Sequence, residues 1–243
     1  MNACCRPAGW LFVAMLVALA ACSPTADKAG LPPVAQTAVP GDAKVLGDSV
    51  ATADPEVAGQ VIAAFATYRS GVIQGDGDAV VEVLDRDSLH DMERVVELAR
   101  SADEEEVRNL PAAEQLLVLT YRLRPELLEA DDPYAALVEA GLAGQDRSLG
   151  ELGEVTILGE DRALGVVVDP ASGAQTPLRW KFVRSDGAWK FDLTDANRLL
   201  SQTVANGAGR ASVTVDDLVA ATVVDLSGED QATVDALYTE SPG

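Results

Sequence analysis

The spacing of hydrophobic residues divides the chain into a helical part and a later part with strand periodicity. From Asp54 onward, apolar residues recur every three or four positions, which is typical of amphipathic helices. From Glu154 onward, apolar and polar residues alternate, which indicates β-strands with one buried face. Helices followed by antiparallel strands predict an α+β fold, in which the N-terminal helices pack on a four-stranded antiparallel meander in a cone-like arrangement.

The first predicted helix has the clearest boundaries. Asp54 is a good N-cap, Pro55 suits the first helical position, Glu56 complements the helix dipole and Gly75 ends the helix. The same kinds of signal predict the later helices. They are a short helix over 79–84, a helix capped by Ser88, a helix that begins at the capping box 101–104, a helix opened by Pro111, and a helix from Asp132–Pro133 to near Gly144.

The strand pattern predicts two hairpins. The first joins residues 155–158 to residues 163–168 through a tight turn at Glu160–Asp161, and the second joins residues 176–184 to residues 188–193. Together these strands make the four-stranded meander.

The second hairpin has the more specific sequence. Its turn is Asp186–Gly187, a dipeptide favoured in type I′ turns. A two-residue loop places the aromatic pairs on one face and an ion pair on the other, with the partners Phe182–Phe191, Trp180–Leu193 and Lys181–Asp192.

Residues 194–243 are predicted to form an acidic helical extension of the domain. A helix over 195–204 precedes Gly207 and Gly209, which are expected to break it. A second amphipathic helix follows, with the apolar stripe Val215, Leu218, Val219, Val223 and Leu226. Because an isolated helix of this length is marginal in water, we expect it to pack on its own domain. The alternative is a segment that folds on binding a partner.

The N-terminal residues resemble a bacterial lipoprotein signal. An apolar run from Trp10 to Ala21 follows Arg6, is too short to span a bilayer and closes in the lipobox Leu19-Ala20-Ala21-Cys22. The resemblance implies that residues 1–21 are a signal peptide and that Cys22 is acylated, so that fatty acyl chains such as palmitate anchor the protein. An ordinary signal peptide or an uncleaved anchor ending in cysteine is the alternative. In that family Asp after the cysteine signals retention in the inner membrane. Ser23 stands there instead, which favours the outer membrane if the host is Gram-negative, with the protein facing the periplasm.

Residues 22–54 are predicted to form a disordered tether between the anchor and the domain. They contain no aromatic residue and are rich in alanine and proline, so they bury too little apolar surface to offset the entropy of ordering. The folded α+β domain is therefore predicted at 55–193.

The charge of the chain excludes one class of partner. The chain has 18 lysines and arginines against 39 aspartates and glutamates, a formal net charge of −21. Loss of Arg6 with the signal peptide makes the mature chain one charge more negative. Because such a surface repels phosphate backbones, we predict no binding to nucleic acid. The predicted partners are the membrane, through Cys22, and a protein of the envelope.

Few side chains are available for catalysis or metal binding. Cys22 is the only cysteine after the signal peptide, and His90 is the only histidine and lies one residue off the apolar stripe of its helix. Asp76-Gly77-Asp78 and Asp85-Arg86-Asp87 do not complete a calcium loop and are interpreted as helix caps. We predict no metal site and no cofactor.

The second hairpin carries an aromatic stripe. It consists of Trp180, Phe182, Trp189 and Phe191. Such stripes usually belong to the core, but these rings could also line a pocket between a curved sheet and the helices.

Residues 65–76 and 186–193 resemble the nuclear transport factor 2-like superfamily. The matching features are a long first helix ending in Gly-Asp and a meander closing in Asp-Gly-Ala-Trp-Lys-Phe-Asp-Leu. The resemblance spans residues 55–195 and implies a cone of helices on a curved sheet with an internal pocket. The superfamily includes ketosteroid isomerase, dehydratases and many non-catalytic modules. In the isomerase a tyrosine of the first helix serves the oxyanion hole and a downstream aspartate is the base. Tyr68 and Asp91 stand near these positions, although Asp91 lies in a helical pattern and the family's aspartate follows a strand.

The sequence therefore predicts a lipid-anchored envelope lipoprotein whose soluble domain binds a partner or ligand without catalysis. One alternative is an enzyme of the isomerase or dehydratase kind that uses Tyr68 and Asp91. The other is a structural accessory of an envelope protein complex. A deep pocket enclosing Tyr68 and Asp91 favours the enzyme, whereas a cone filled by Trp180 and Phe191 favours the accessory.

Overall fold

The fold is α+β, with helices packed against one curled antiparallel sheet. The computed structural model describes residues 51–52, 54–143 and 150–239. The lipobox, Cys22 and most of the predicted tether lie outside these residues.

The helices lie before and after the four long strands of the sheet in the chain, which span residues 151–191. Those before the sheet are α1 (Pro55–Gln74), α2 (Gly77–Val83), α3 (Arg86–Ser101), α4 (Glu104–Arg108), α5 (Ala112–Leu123), a 3₁₀ helix (Pro125–Glu129) and α6 (Pro133–Glu139). Those after it are α7 (Leu193–Ala211), α8 (Val215–Ser227) and α9 (Gln231–Ala236).

The sheet is an antiparallel meander in chain order. Its strands are β1 (Ala51–Thr52), β2 (Glu151–Ile157), β3 (Arg162–Val168), β4 (Gln175–Ser185) and β5 (Ala188–Phe191). The predicted four-stranded meander corresponds to β2–β5. The short strand β1 adds an edge in which Ala51 pairs with Ile157, although Ala51 falls in the range predicted as tether.

The second hairpin has the predicted turn and the predicted Phe182–Phe191 pair. The predicted Trp180–Leu193 pair is wrong, because β5 ends at Phe191 and Leu193 begins α7. Phe182 pairs with Phe191 across β4 and β5. Asp186 and Gly187 have φ values of 53° and 81°, as a type I′ turn requires. On the other face, Lys181 Nζ lies 2.6 Å from Asp192 Oδ2. The predicted cross-strand ion pair is therefore confirmed.

The boundaries of α1 also agree with the prediction. The Asp54 side chain accepts a hydrogen bond from the Glu56 N–H, and Pro55 occupies the first position. Gly75 ends the helix in the left-handed conformation at φ 69°, which glycine adopts without steric cost.

Of the two caps predicted near the start of α3, Ser88 is wrong and Asp85 is confirmed. Asp85 caps the helix and accepts from the Ser88 N–H at 3.0 Å, so Ser88 lies within the first turn. The Ser88 hydroxyl instead accepts from the Leu193 N–H at 2.8 Å. Both residues are good caps, and the backbone bond from Asp85 N–H to Phe191 O fixes which one begins the helix.

Other helix boundaries differ from the predictions by a few residues. The capping box is formed by Asp103 and Glu106 and not by residues 101–104. Asp76 caps α2 at Gly77, two residues before the predicted start. Helix α6 ends at Glu139, before the predicted end near Gly144.

The predicted break at Gly207 and Gly209 is also wrong, because α7 continues to Ala211. A glycine inside a helix costs only about 1 kcal/mol. Gly207 and Ala208 are buried, so packing offsets that cost. The helix ends instead at Ser212, which has a left-handed φ of 57°.

The C-terminal segment packs on its own domain, as expected. Val219, Ala220 and Val223 of α8 are buried in the same apolar core as α1 and the sheet. Leu237 and Tyr238, which follow α9, also belong to this core. Leu226, the last residue of the predicted apolar stripe, is exposed.

Candidate functional site

The space between α1 and the sheet, where a pocket is implied by the resemblance, contains an aromatic cluster. We define this cluster as Phe65, Tyr68, Trp180, Phe182 and Phe191. Phe182 and Phe191 are fully buried, and the Phe191 ring lies 5.5–5.9 Å from the rings of Phe182, Phe65 and Trp180. The rings contact one another and so occupy the concave side of the sheet.

Tyr68 lies inside this cluster and not at its surface. It is 4 % exposed, and its ring centroid lies 4.6 Å from that of Phe191. Burial raises the pKa of the Tyr68 phenol to about 12, and a hydrogen bond from Tyr134 offsets part of this effect. The Tyr134 phenol is also fully buried and has a pKa raised well above its ordinary value by burial. Tyr68 is therefore a neutral core residue over the physiological pH range.

The two tryptophans of the stripe lie at different depths. Trp189 is 5 % exposed, whereas Trp180 is half-buried at the margin of the cluster. Both indole Nε1 atoms are buried and have no hydrogen-bond partner among the described residues. The stripe therefore contributes mainly apolar contact.

Asp91 has different neighbours from Tyr68. It lies on α3, where its Oδ2 accepts from the Thr194 hydroxyl at 2.8 Å and its Oδ1 lies 3.8 Å from Arg94 Nε. Arg94 in turn lies 2.9 Å from Glu114 of α5. These contacts join α3 to α5 and α7. Asp91 thus has a structural role in this arrangement, and it shares no hydrogen-bond partner with Tyr68 in the described part of the chain.

The remaining polar candidates also have local roles. The His90 side chain is 81 % exposed and lies 3.5 Å from Glu93 one turn later. Asp76 and Asp85 cap helices, as predicted. Within residues 51–52, 54–143 and 150–239, no group of three or more His, Cys, Asp and Glu side chains is arranged to hold a metal ion.

Sequence reasoning missed a buried arginine that joins α3 to the end of the described chain. Arg122 on α5 is 4 % exposed, and its guanidinium donates to five carbonyl oxygens, those of Leu98, Ala99, Ala102, Leu237 and Tyr238. Burial lowers the pKa of Arg122, while the carbonyls satisfy its donors. Its partners are distant in the chain, so no local pattern predicts them.

Tyr238 is held on the same side by Arg108. The Arg108 guanidinium lies 4.2 Å from the Tyr238 ring centroid and also 3.1 Å from Asp216 of α8. Tyr238 is an isolated aromatic residue in an acidic segment, and this signal of docking was not used in the sequence-based prediction.

The described part of the chain also has an open groove on the outer side of α1. It has a volume of about 320 Å³ and is lined by Ala66, Thr67, Ser70, Gly71, Gln74, Asp76 and Ala79. These side chains are mostly small and carry one carboxylate, so the groove lacks the converging reactive groups of an active site.

None of the described helices is both long enough and apolar enough to cross a membrane. No family model matches this chain, and no curated protein or solved structure is significantly similar to it.

Proposed function

We propose that this chain is a lipid-anchored lipoprotein of the cell envelope, whose folded domain is a non-catalytic accessory of an envelope protein complex. The anchor is Cys22, which follows a short apolar run and the small residues of a lipobox. The tether joins it to a domain that faces the periplasm, from the outer membrane if the cell has one. The acidic charge of the domain keeps it soluble and away from anionic headgroups.

The observation that supports an accessory role is the aromatic cluster between α1 and the sheet. Phe191 is 2 % exposed and contacts Phe65, Tyr68, Trp180 and Phe182. Rings that fill the concave side of the sheet leave that space to the core and not to a substrate. A domain with a filled core meets its partner on its outer surface.

An isomerase-like or dehydratase-like enzyme is the weaker alternative. It needs Tyr68 and Asp91 to face one bound substrate. Tyr68 is buried among aromatic rings, and the Asp91 carboxylate accepts from Thr194 on the side where α3 meets α7. Within the superfamily that the sequence resembles, these positions of Tyr68 and Asp91 fit a non-catalytic member better than an enzyme.

Lipid labelling tests the anchor. Cells that express the chain are grown with labelled palmitate, and the protein is isolated and examined for label and size. We expect the unchanged chain to carry the label and Cys22→Ser to remain an unlabelled precursor. Cys5→Ser changes a thiol within the signal peptide and is the matched control, which should be labelled and processed normally. A labelled Cys22→Ser variant contradicts the proposed anchor.

Ligand-induced stabilisation tests the accessory role against the enzyme alternative. The chain from residue 22 onward, with Cys22→Ser, is heated alone and with steroids and other apolar small molecules. A ligand raises the melting temperature only if the folded state binds it. If aromatic rings fill the concave side, no ligand binds there and the melting temperature should be unchanged. A rise that disappears in Tyr68→Phe would favour the pocket and contradict the accessory role.

A further inference from the structure

The exposed side of α1 carries no charged residue after Glu56. We call this side the uncharged face, and its residues are Gly59, Gln60, Ile62, Ala63, Ala66, Thr67, Ser70, Ile73 and Gln74. Arg69 lies in the same stretch, but its side chain is only 28 % exposed and lies 3.5 Å from Glu151 of β2. In a chain with a net charge of −21, four turns of exposed helix without charge form a distinct surface.

Two isoleucines form an apolar ridge along this face. Ile62 and Ile73 are 39 % and 44 % exposed and are among the few large apolar side chains exposed in the described residues. They are three turns apart, which places them on nearly the same line of the helix, about 16 Å from one another along its axis. Water is a poor environment for such a ridge, so a contact that covers it is favourable.

The open groove lies directly beside this ridge. Its walls include Ala66, Thr67, Ser70 and Gln74 of the uncharged face. The backbone of α1 is also close to α2 here, since a Cβ on Gly71 would lie 2.6 Å from Val80 Cγ2. Asp76 lies at the end of the groove, where its Oδ1 accepts from the Ala79 N–H at 3.1 Å. The groove is thus shallow, and its small side chains allow a second helix to approach closely.

We propose that the uncharged face is the interface of a homodimer, in which two copies of α1 cross near their middle. A ridge and a groove side by side on one helix are self-complementary in a parallel pair, because a two-fold axis running along the two helices places each ridge in the groove of the other copy. Outside the uncharged face, the acidic surface of one copy repels the acidic surface of another. Two chains of charge −21 repel one another. The uncharged face reduces this repulsion, because the carboxylate among its groove residues is that of Asp76, at the end of the groove.

The proposed dimer is small and reversible. A single pair of helices buries an area at the lower end of the range for specific protein interfaces. The dimer therefore dissociates on dilution, and its formation does not depend on the anchor at Cys22. The dimer can therefore be tested independently of the proposed function.

Sedimentation over a range of concentrations tests the proposal. The sample is the chain from residue 22 onward with Cys22→Ser, which retains every described residue. We expect a monomer–dimer equilibrium that is weakened roughly tenfold or more by Ile73→Glu, because two added carboxylates then meet in the interface. Leu226→Glu is the matched control, since Leu226 is 39 % exposed on α8. It should leave the equilibrium unchanged.

Thiol crosslinking locates the contact. Cys22→Ser removes the last thiol of this sample, so an added cysteine is the only one. Ala66→Cys, near the middle of the uncharged face, should give a dimeric product with a short bis-maleimide. Glu97→Cys, on the exposed side of α3, should not.

Three results would overturn the homodimer. They are a monomer at every concentration, equal weakening by Ile73→Glu and Leu226→Glu, and equal crosslinking at positions 66 and 97. A monomer that loses melting temperature with Ile73→Glu but not with Leu226→Glu would show that another segment of the same chain covers the face, and it would also overturn the proposal.

Discussion

Helices α1 and α3 have similar buried sides and different exposed sides. Each buries an apolar stripe in the common core and begins at an aspartate that accepts from a backbone N–H of its first turn. The exposed side of α3 carries Arg86, Asp87, Glu93, Arg94, Glu97 and Arg100, whereas the uncharged face of α1 carries none. The buried sides thus follow from the fold, while the exposed sides reflect what each helix meets outside it. Charge suits contact with water, and its absence on α1 suits contact with protein.

The two helices also end differently. Helix α1 ends locally at Gly75, in the left-handed conformation. At the end of α3, Arg122 donates to the carbonyls of Ala99 and of Ala102, the C-cap, and connects them to Leu237 and Tyr238. One helix therefore ends through a backbone preference, and the other through a long-range contact.

The largest expected effect concerns the buried sides. Phe65→Ala should lower the free energy of unfolding by about 3–5 kcal/mol, because it leaves a cavity among the rings of Tyr68, Phe182 and Phe191. Urea unfolding measures the change. Met92→Ala on α3 is the comparison and should cost about 2–3 kcal/mol, at the low end for such changes, because a flexible thioether packs with less definite geometry. A larger loss at Met92 than at Phe65 would show that the aromatic cluster is not the main anchor of α1.

The next effect concerns the ends of the helices. Arg122→Met should cost at least about 3 kcal/mol, because several buried carbonyls lose their donor at about 1–3 kcal/mol each. Hydrogen exchange should also become faster in α9. Gly75→Ala, at the end of α1, should cost only about 1–2 kcal/mol, from the left-handed backbone. Equal costs, or unchanged exchange in α9, would contradict the long-range role of Arg122.

The smallest effect concerns the N-cap of α3. Burial raises the pKa of the Asp85 carboxyl, partly offset by hydrogen bonds from Ser88, and the nearby Asp192 raises it further. A raised pKa in the folded state gives stability that is full below the ordinary pKa of the carboxyl and is lost as the pH rises through the raised value.

Lowering the pH from about 7 to about 4 should therefore stabilise the unchanged protein more than Asp85→Asn, whose side chain keeps the cap without titrating. Unfolding free energies at the two pH values measure the difference, which we expect to be below about 1 kcal/mol. Asp54→Asn, at the exposed cap of α1, controls for the change of side chain. If lowering the pH raises the unfolding free energy equally in the unchanged protein and in Asp85→Asn, Asp85 is not the cause of the pH dependence.

Local signals predicted much of this fold. The turn at Asp186–Gly187 fixes the register of its hairpin, because only a few turn types suit a two-residue loop. Pro55 and Gly75 define α1 for equally local reasons. Predictions failed where tertiary packing overrides a preference. Helix α7 passes through Gly207 because that residue is buried, and Asp85 replaces Ser88 as a cap because its N–H bonds to Phe191.

The candidate site was less accessible to sequence reasoning. The resemblance to the nuclear transport factor 2-like superfamily implied a shared site for Tyr68 and Asp91. Side-chain direction around two separate helices decides which groups meet, and positions in the sequence do not contain it. Tyr68 faces the aromatic cluster, and Asp91 faces Thr194. Arg122 could not be found at all, since an isolated arginine in a helical pattern is usually on the surface.

The bonds from Arg122 to Leu237 and Tyr238 make completion of the fold depend on the last described residues. Arg122 and Leu237 are 115 positions apart. Without residues 237 and 238 the buried guanidinium loses two of its five acceptors, and the core loses two of its side chains. A chain shortened before Leu237 is therefore expected to aggregate or to be degraded instead of reaching the folded state.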